Sequence, residues 1–204
     1  MTPFAIDPCR PAARTCRPAW PGWLAALLAL ALLCVALSCA AVGQPAAPLA
    51  PNLERSVKAA YLFKFLGYVE FLAKESTEAG SPLVVGVLGA DDVAAELARI
   101  TAGRTVNGRP VAVRSLREGE PMAGVQMLYA GTANDLPKVL RSAAQNGALG
   151  VADDENGLQQ GAVINFRIVE DRVRFEVSLP AAERSNLKLS SRLLSVAWHV
   201  QKGN

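Results

Sequence analysis

The chain has 204 residues, of which 21 are Lys or Arg, 18 are Asp or Glu and one is His. The first 43 residues hold three of the basic residues and one acidic residue, so the rest carries 18 basic against 17 acidic residues. This near-neutral charge, with no basic stripe, excludes the usual nucleic-acid-binding classes, which neutralise phosphates with Lys and Arg. The remaining stretch of about 160 residues is enough for one domain with a core and too short for two ordinary ones.

The first 43 residues have the pattern of an export signal. Three arginines precede the uncharged run "WLAALLALALLCVALSCAAV", and a positive leader before an apolar run is typical of a secretory signal peptide. Small residues in "SCA" and "AVG" predict cleavage between Ala40 and Gln44. We therefore predict a periplasmic protein with a signal peptide at 1–43 and a linker at 44–52. The apolar run, at about twenty residues, is also long enough to remain as a membrane anchor, which is the alternative.

All the cysteines lie in this leader, at positions 9, 16, 34 and 39. Their even number therefore does not indicate a disulfide framework, because the domain that follows has no thiol. Cys39 in "ALSC" is a weak match to a lipoprotein cleavage box, which normally has Leu, Val or Ile where Ala36 stands. Lipidation at Cys39 is accordingly the less favoured interpretation.

The domain is predicted to occupy residues 53–204 and to open with a helix. In "NLERSVKAAYLFKFLGYVEFL", apolar residues recur at spacings of three and four, which places them on one face of a helix. The members of this stripe are Val57, Tyr61, Phe65, Tyr68 and Leu72. Leu62, Phe63 and Leu66 widen it, so the helix is predicted to be covered on more than one side.

Four short segments rich in Val or Leu, each bounded by Gly, Pro, Asn or Asp, are predicted strands. They span residues 83–89, 110–116, 127–131 and 149–153. A helix capped by Asp91 is predicted between the first two strands. A second helix, with Pro137 in its first turn and Gly147 at its end, is predicted between the last two. This alternation of strands and helices predicts a parallel sheet.

The pattern changes after residue 160. "GAVINFRIVE" runs directly into "DRVRFEVSL", which alternates apolar and polar residues, so the two predict an antiparallel hairpin. The period changes again within "LKLSSRLLSVAWHV", at residues 187–200, where Ser190 is predicted to cap a final helix. The predicted fold is an α/β three-layer sandwich, with a mainly parallel sheet, a C-terminal antiparallel hairpin and a terminal helix.

Two loops of this predicted sheet are candidate ligand sites. "GVLGADD" places glycines between a strand and a helix, as phosphate-binding loops do, but it lacks the third glycine and the Lys-Ser/Thr pair. Asp91 and Asp92 would also repel phosphate, so a tight turn is favoured. Asp153, Asp154 and Glu155 follow a strand at its carboxyl end, where ligands of parallel sheets usually bind. A cation or polar ligand is one interpretation there, and a solvated loop is the favoured one.

The other candidates are the single histidine and a row of aromatic residues. His199 is predicted near the end of the last helix, and the domain offers no cysteine to join it in a transition-metal site. No G-x-S-x-G motif presents a serine for a nucleophilic triad. Tyr61, Phe65 and Tyr68 are compatible with an aromatic cage, although core packing is the favoured explanation of their spacing. We therefore assign no catalytic residue, cofactor, or metal ligand, and the partner-binding residues stay unknown.

The segments taken together resemble a known family. "VKAAYLFKFLGYVEF", "VVGVLG", "VNGRPVAV", "VQMLYAG", "LGVAD" and "GAVINFRIVEDRVRFEVSLPAAERSNLKLSSRLLSVA" follow, in order, the segments of the YfiR family of periplasmic proteins. The similarity covers about residues 53–200, and its first and last segments are the most specific.

This resemblance implies a regulator without enzymatic activity. The best-known member restrains the periplasmic sensing domain of a membrane-bound diguanylate cyclase, and its release raises cyclic-di-GMP and favours biofilm formation. The implied partner here is the periplasmic domain of a diguanylate cyclase or sensor kinase, with a homodimer and an outer-membrane lipoprotein as further implied associations. The alternative is a periplasmic module that binds a small molecule at the carboxyl ends of the strands. An exported hydrolase ranks third.

The chain departs from the family pattern at several positions. Lys64 stands where the family usually has Asn, and Phe71 and Leu72 stand where it has Trp-Pro. Many members carry a cysteine where this chain has Val125. A disulfide-based redox switch cannot operate in a domain without a thiol, so the resemblance implies another trigger, such as a ligand, another envelope protein or altered abundance.

Overall fold

The computed structural model describes residues 51–72 and 80–203. Its first helix, α1, spans Pro51–Phe65. It begins with Pro51 and Asn52, which the sequence placed in the linker, and proline suits a first helical turn because its missing N–H would be unpaired there anyway. The helix ends before Gly67, whose N–H donates to the Lys64 carbonyl at 3.0 Å in a closing turn. The predicted continuation to Tyr68 and Leu72 is therefore wrong.

In the described part of the chain, eight strands form the main sheet. Their bounds are Leu83–Leu88 for β2, Thr105–Val106 for β3, Arg109–Leu116 for β4, Met127–Ala130 for β5, Leu149–Ala152 for β6, Ile164–Val169 for β7, Arg172–Ser178 for β8 and His199–Gln201 for β10. Across the sheet they lie in the order β10-β8-β7-β6-β5-β2-β4-β3. Two further strands, β1 at Val69–Phe71 and β9 at Leu187–Leu189, pair antiparallel in a small separate sheet. The sequence placed residues 69–71 in the first helix, whereas Leu187, Lys188 and Leu189 show the two-residue alternation of a strand, although no strand was assigned there.

The pairing in the main sheet is mostly parallel. Strand β2 pairs parallel with β4 and β5, and β6 pairs parallel with β5 and β7. The short β3 is antiparallel to β4, and β7 and β8 form the antiparallel hairpin. Glu170 and Asp171 connect that hairpin with φ angles of 50° and 54°, as a two-residue type I′ turn requires. The predicted α/β fold, with a mainly parallel sheet and a C-terminal hairpin, is thus confirmed.

Helices cover both faces of the sheet and make three layers. The remaining helices are α2 at Asp91–Thr101, α3 at Leu136–Gln145, α4 at Leu179–Arg184 and α5 at Ser191–Val196. Helices α1 and α2 pack on one face with Val85, Val87, Tyr129 and Val151, while α3 packs on the other with Leu128 and Ala152. Adjacent strand residues point to opposite faces, so a central strand must be apolar throughout. This explains why all six residues of "LVVGVL" are wholly or partly buried.

The predicted helix ends are partly correct. Pro137 lies in the first turn of α3 and Gly147 follows the helix with φ of 67°, as predicted. The cap of α3 is Asp135, which the sequence did not single out and which accepts from the Lys138 N–H at 3.1 Å. Asp91, however, is the first residue of α2 rather than its cap; Ala90 occupies the cap position and has no side-chain oxygen to accept a hydrogen bond. Ser190 caps α5 as predicted, accepting from the Leu193 N–H at 3.3 Å.

The C-terminal segment differs from its prediction after α5. The helix ends at Val196, and residues 199–201 form β10, which pairs parallel with β8. The Trp198 N–H donates to the Phe175 carbonyl at 2.8 Å and starts this pairing. His199 therefore lies on an edge strand and not in a helix, because the open edge of β8 offers the chain backbone partners. Among the residues described, no helix is long and apolar enough to cross a membrane.

Candidate functional site

A cleft of about 250 Å³ opens at the carboxyl ends of the parallel strands, between α1 and the start of α2. The residues that line this cleft include Asp153, which directly follows β6, and Tyr129 of β5. Glu54 and Lys58 of α1 line it from the other side. Ligands of open parallel sheets usually bind at this edge. The cleft is therefore the first candidate site, and it contains residues of both candidate loops, Gly89 and Asp92 of the first and Asp153 of the second.

Lys58 is the central group of this cleft. Only 6% of the residue is exposed, and its Nζ donates to Asp153 Oδ2 at 2.5 Å and to the Glu54 carboxylate. The Tyr129 hydroxyl donates to the same Asp153 oxygen at 3.1 Å. Each buried polar group in this network thus has a partner, which is the condition for burying a charge without a large penalty.

The pKa values of these groups indicate a structural role. Burial lowers the pKa of the Lys58 ammonium, but its hydrogen bonds to Asp153 and Glu54 outweigh burial, and the net shift is upward. The pKa of the Tyr129 hydroxyl is raised, first by burial and then by the Asp153 charge. Lys58 accordingly stays charged and Tyr129 stays protonated at neutral pH. To act as a general base or nucleophile at neutral pH, Lys58 or Tyr129 would need a lowered pKa.

The sequence reasoning missed Lys58. The predicted stripe of α1 ran through Val57 and Tyr61, which are half-buried, whereas the fully buried face contains Lys58 and Leu62. Lys58 lies four residues after Glu54 and four before Leu62, so it shares a helix face with both. A lysine inside an apolar face is a recognisable signal of a buried ion pair. The second partner of Lys58 cannot be recognised from the sequence in this way, because Asp153 lies 95 residues further along the chain.

The glycines of "GVLGADD" allow two strands to end in close contact. Gly89 has φ of 64°, and a Cβ there would lie 2.0 Å from the Thr132 carbonyl oxygen. Gly131 donates its N–H to the Leu88 carbonyl at 3.0 Å, and a Cβ on it would lie 2.8 Å from Ala90. These positions require glycine for packing. The tight-turn interpretation of this motif therefore fits the structure.

The acidic residues 153–155 do not converge on one point. Asp153 turns towards Lys58, whereas Asp154 Oδ1 accepts from the Asn156 N–H and from Gln160, both at 2.8 Å, and Glu155 is exposed. Among the described residues, no group of three His, Cys, Asp or Glu is placed to hold a metal ion. The site formed here is an internal ion pair that connects α1 to the end of β6.

The aromatic residues of α1 form core contacts. The Phe65 ring lies 5.0 Å from Phe175 and 5.9 Å from Phe166, and Tyr61 lies 5.4 Å from Phe175. Phe65 is 1% exposed, so no ligand reaches its face. Tyr68 lies beyond the helix. The packing explanation of these aromatic residues is therefore the correct one.

Three large apolar residues on or next to the C-terminal strands are exposed: Ile168 on β7, and Val196 and Trp198 just before β10. They are called the hairpin surface below. These residues are 49%, 65% and 54% exposed. Ile168 pairs with Val173 on one side of β8, and the Trp198 N–H bonds Phe175 on the other side. Exposed large apolar side chains at an open strand edge are typical of protein contact surfaces.

A comparison with protein families decides the identity of the domain. The YfiR/HmsC-like family model matches residues 55–198. The chain belongs to the YfiR/HmsC-like family. The resemblance drawn from the sequence over 53–200 is therefore confirmed. Val125, which stands where many family members have a cysteine, is 3% exposed and packs in the core beneath α3.

One solved structure supports the fold of this YfiR/HmsC-like domain. A conserved domain protein from Vibrio cholerae O1 biovar El Tor superposes with a TM-score of 0.52 and 12% sequence identity. The match covers 73% of this chain and 61% of the Vibrio chain, so this chain spans less than two thirds of that protein's length. At this identity the likeness concerns the fold alone. A search of curated proteins finds no match.

Proposed function

We propose that this protein is an exported periplasmic regulator that restrains a membrane-anchored diguanylate cyclase through contact with its periplasmic domain. The observation that carries the proposal is the YfiR/HmsC-like match across residues 55–198. In this proposal residues 1–43 are a cleaved signal peptide and residues 53–204 are the regulatory domain. A second copy of the chain and an outer-membrane lipoprotein are further proposed partners, and a sensor kinase is the alternative membrane target.

Two features of the structure support regulation by contact. In the cleft at the carboxyl ends of the strands, Lys58 is already neutralised by Asp153 and Glu54, so its charge is not available to a ligand. The hairpin surface, in contrast, presents three exposed apolar residues, with Ile168 on β7 and with Val196 and Trp198 just before the edge strand β10. Partner proteins commonly bind to such surfaces by packing aromatic and aliphatic anchors.

The trigger that releases the partner is proposed to be independent of thiols. All the cysteines lie at or before position 39, so no disulfide can form inside the domain. A bound ligand, another envelope protein or a change in abundance would have to supply the signal.

Deleting the gene tests the proposal. We expect cyclic-di-GMP to rise in the deletion strain and to return to its original level when the complete chain is supplied. The control is a chain that lacks residues 1–43, which we expect to stay inside the inner membrane and to leave cyclic-di-GMP high. Co-purification from the membrane fraction would then identify the partner. Unchanged cyclic-di-GMP in the deletion strain, under every envelope stress applied, would contradict the proposal.

A further inference from the structure

A second and larger cleft, of about 530 Å³, lies between the second half of α3 and the end of α4. The loop at 159–161, before β7, forms its third side. Its lining includes Arg141 and Arg184, the amides of Gln145, Gln159 and Gln160, and the apolar Pro137, Leu140 and Ala144. The cleft shares no residue with the one that holds Lys58.

The charge of this cleft is uniformly positive. Arg141 comes from α3 and Arg184 from the last turn of α4, and no acidic residue lines the space between them. Within residues 51–72 and 80–203, neither guanidinium has a hydrogen bond or an ion pair, and both residues are exposed. Two guanidinium groups from different helices therefore offer unused donors to the same space. Planar guanidinium groups bind carboxylates through two parallel hydrogen bonds.

The other lining groups define what else the ligand must carry. Side-chain amides both donate and accept, so Gln145 and Gln159 can pair with hydroxyl groups. Gln160 donates to Asp154 Oδ1 at 2.8 Å, which fixes one side of the loop. Leu140, only 2% exposed, provides an apolar floor for a short carbon chain. Pockets with an apolar wall and a few placed polar groups are typical of small-molecule sites.

We infer that this cleft binds a small hydroxylated di- or tricarboxylate, with Arg141 and Arg184 each pairing with one carboxylate. A ligand with two negative groups can pair with both guanidinium groups at once, which a ligand with a single carboxylate cannot do. The inference does not depend on regulation of a cyclase, since it concerns binding to the isolated protein.

Calorimetric titration of the complete chain with citrate, at pH 7 and constant ionic strength, tests this site. We expect saturable binding of citrate and no saturable binding of acetate, which has a single carboxylate. Arg141→Gln and Arg184→Gln should each weaken citrate binding about tenfold, because each removes a charged hydrogen-bonding partner. Titration with inorganic phosphate in the same way measures how tightly a compact anion without a carbon chain binds to the two arginines.

Arg192→Gln is the matched control. Arg192 is also exposed but lies on α5, outside the cleft, so its loss should leave citrate affinity unchanged. Far-UV circular dichroism and the Tm without citrate would verify that all three variants fold, as expected for exposed residues without hydrogen bonds. The inference is overturned if citrate does not bind, if phosphate binds more tightly than citrate, or if the Arg141 and Arg184 variants bind citrate as well as the wild type. These outcomes are separate from any change in cyclic-di-GMP.

Discussion

Lys58 connects α1 to the main sheet through its two ion pairs. Its ammonium is buried between carboxylates from two different parts of the chain, one a turn away on α1 and one at the end of β6. The lysine side chain is only 8% exposed, whereas the two carboxylates keep 32% and 27% of their side-chain area exposed, so the cation is the buried member of the network. The stability of α1 on the sheet should therefore depend on this lysine more than on any surface charge.

Replacing Lys58 with Met should destabilise the fold by about 3 kcal/mol, because it leaves two carboxylates facing an apolar group in place of a cation. Urea unfolding at pH 7 would measure the change. Lys64→Met is the matched control, since Lys64 lies on the same helix and is exposed; it should change the free energy of unfolding by less than about 0.5 kcal/mol. Equal effects of the two substitutions would contradict the role given to Lys58.

The same ion pair predicts how stability depends on alkaline pH. The pKa of Lys58 is raised in the folded protein above its ordinary value of 10.5. The charged form is therefore favoured by folding, and its contribution is complete below 10.5 and is lost as pH rises through the folded pKa. We expect the free energy of unfolding to fall more steeply above pH 10.5 in the wild type than in Lys58→Met. A slope that is unchanged in the variant would count against this assignment.

The cap of α5 gives a smaller prediction at the same scale. Ser190→Ala removes the oxygen that accepts from the Leu193 N–H at 3.3 Å, and should cost about 1 kcal/mol of stability. Ser191→Ala, at the first helical position and exposed, should cost almost nothing. Thermal unfolding of both variants would measure the difference. Regulation should survive Ser190→Ala; its complete loss with an intact fold would show that the serine does more than cap a helix.

At the scale of elements, the long periodic segments were predictable and the short ones were not. Apolar strands bounded by turn residues, and the helices between them, identified the parallel sheet, and two adjacent strands without a loop identified the hairpin. Strands β1, β9 and β10 have three residues each, too few for a period to establish a strand. Strand β10 forms because the backbone edge of β8 lies next to it, and β1 and β9 form because the fold brings them together. That information depends on the rest of the fold. The contact between Lys58 and Asp153 was inaccessible to sequence reasoning for the same reason.

The junction of β2 and β5 gives a prediction about an element boundary. Gly89→Ala should destabilise the protein by several kcal/mol, roughly 3 or more, because its Cβ would meet the Thr132 carbonyl oxygen in a left-handed backbone conformation. Gly103 has a similar φ of 69° but open space around it, so Gly103→Ala should show only the conformational cost of about 1 kcal/mol. Chemical unfolding of the pair separates the steric effect from the backbone effect. Similar losses in both variants would mean that the close contact is relieved by a small shift.

At the scale of the whole molecule, the buried ion pairs and the exposed apolar side chains lie in different places. In the carboxyl-end cleft, Lys58 is neutralised within the protein, whereas the exposed apolar residues of the hairpin surface lie on β7 and just before the short edge strand β10. A three-residue edge strand limits unwanted strand pairing, since it offers few free backbone groups. A partner that binds here would consequently have to gain most of its affinity from side chains, and Trp198 is the largest of them.

Replacing both Trp198 and Ile168 with Ser should weaken binding of the membrane partner at least about tenfold, because aromatic and aliphatic anchors usually dominate such contacts. Both side chains are about half exposed, so the fold should remain intact. Leu53→Ser is the matched control, since Leu53 is 53% exposed but lies in the first turn of α1 rather than beside β8. Co-purification from membranes and cyclic-di-GMP levels would both be measured. If the double variant still restrained the cyclase while Leu53→Ser released it, the contact surface would lie at the start of α1 and not at the hairpin.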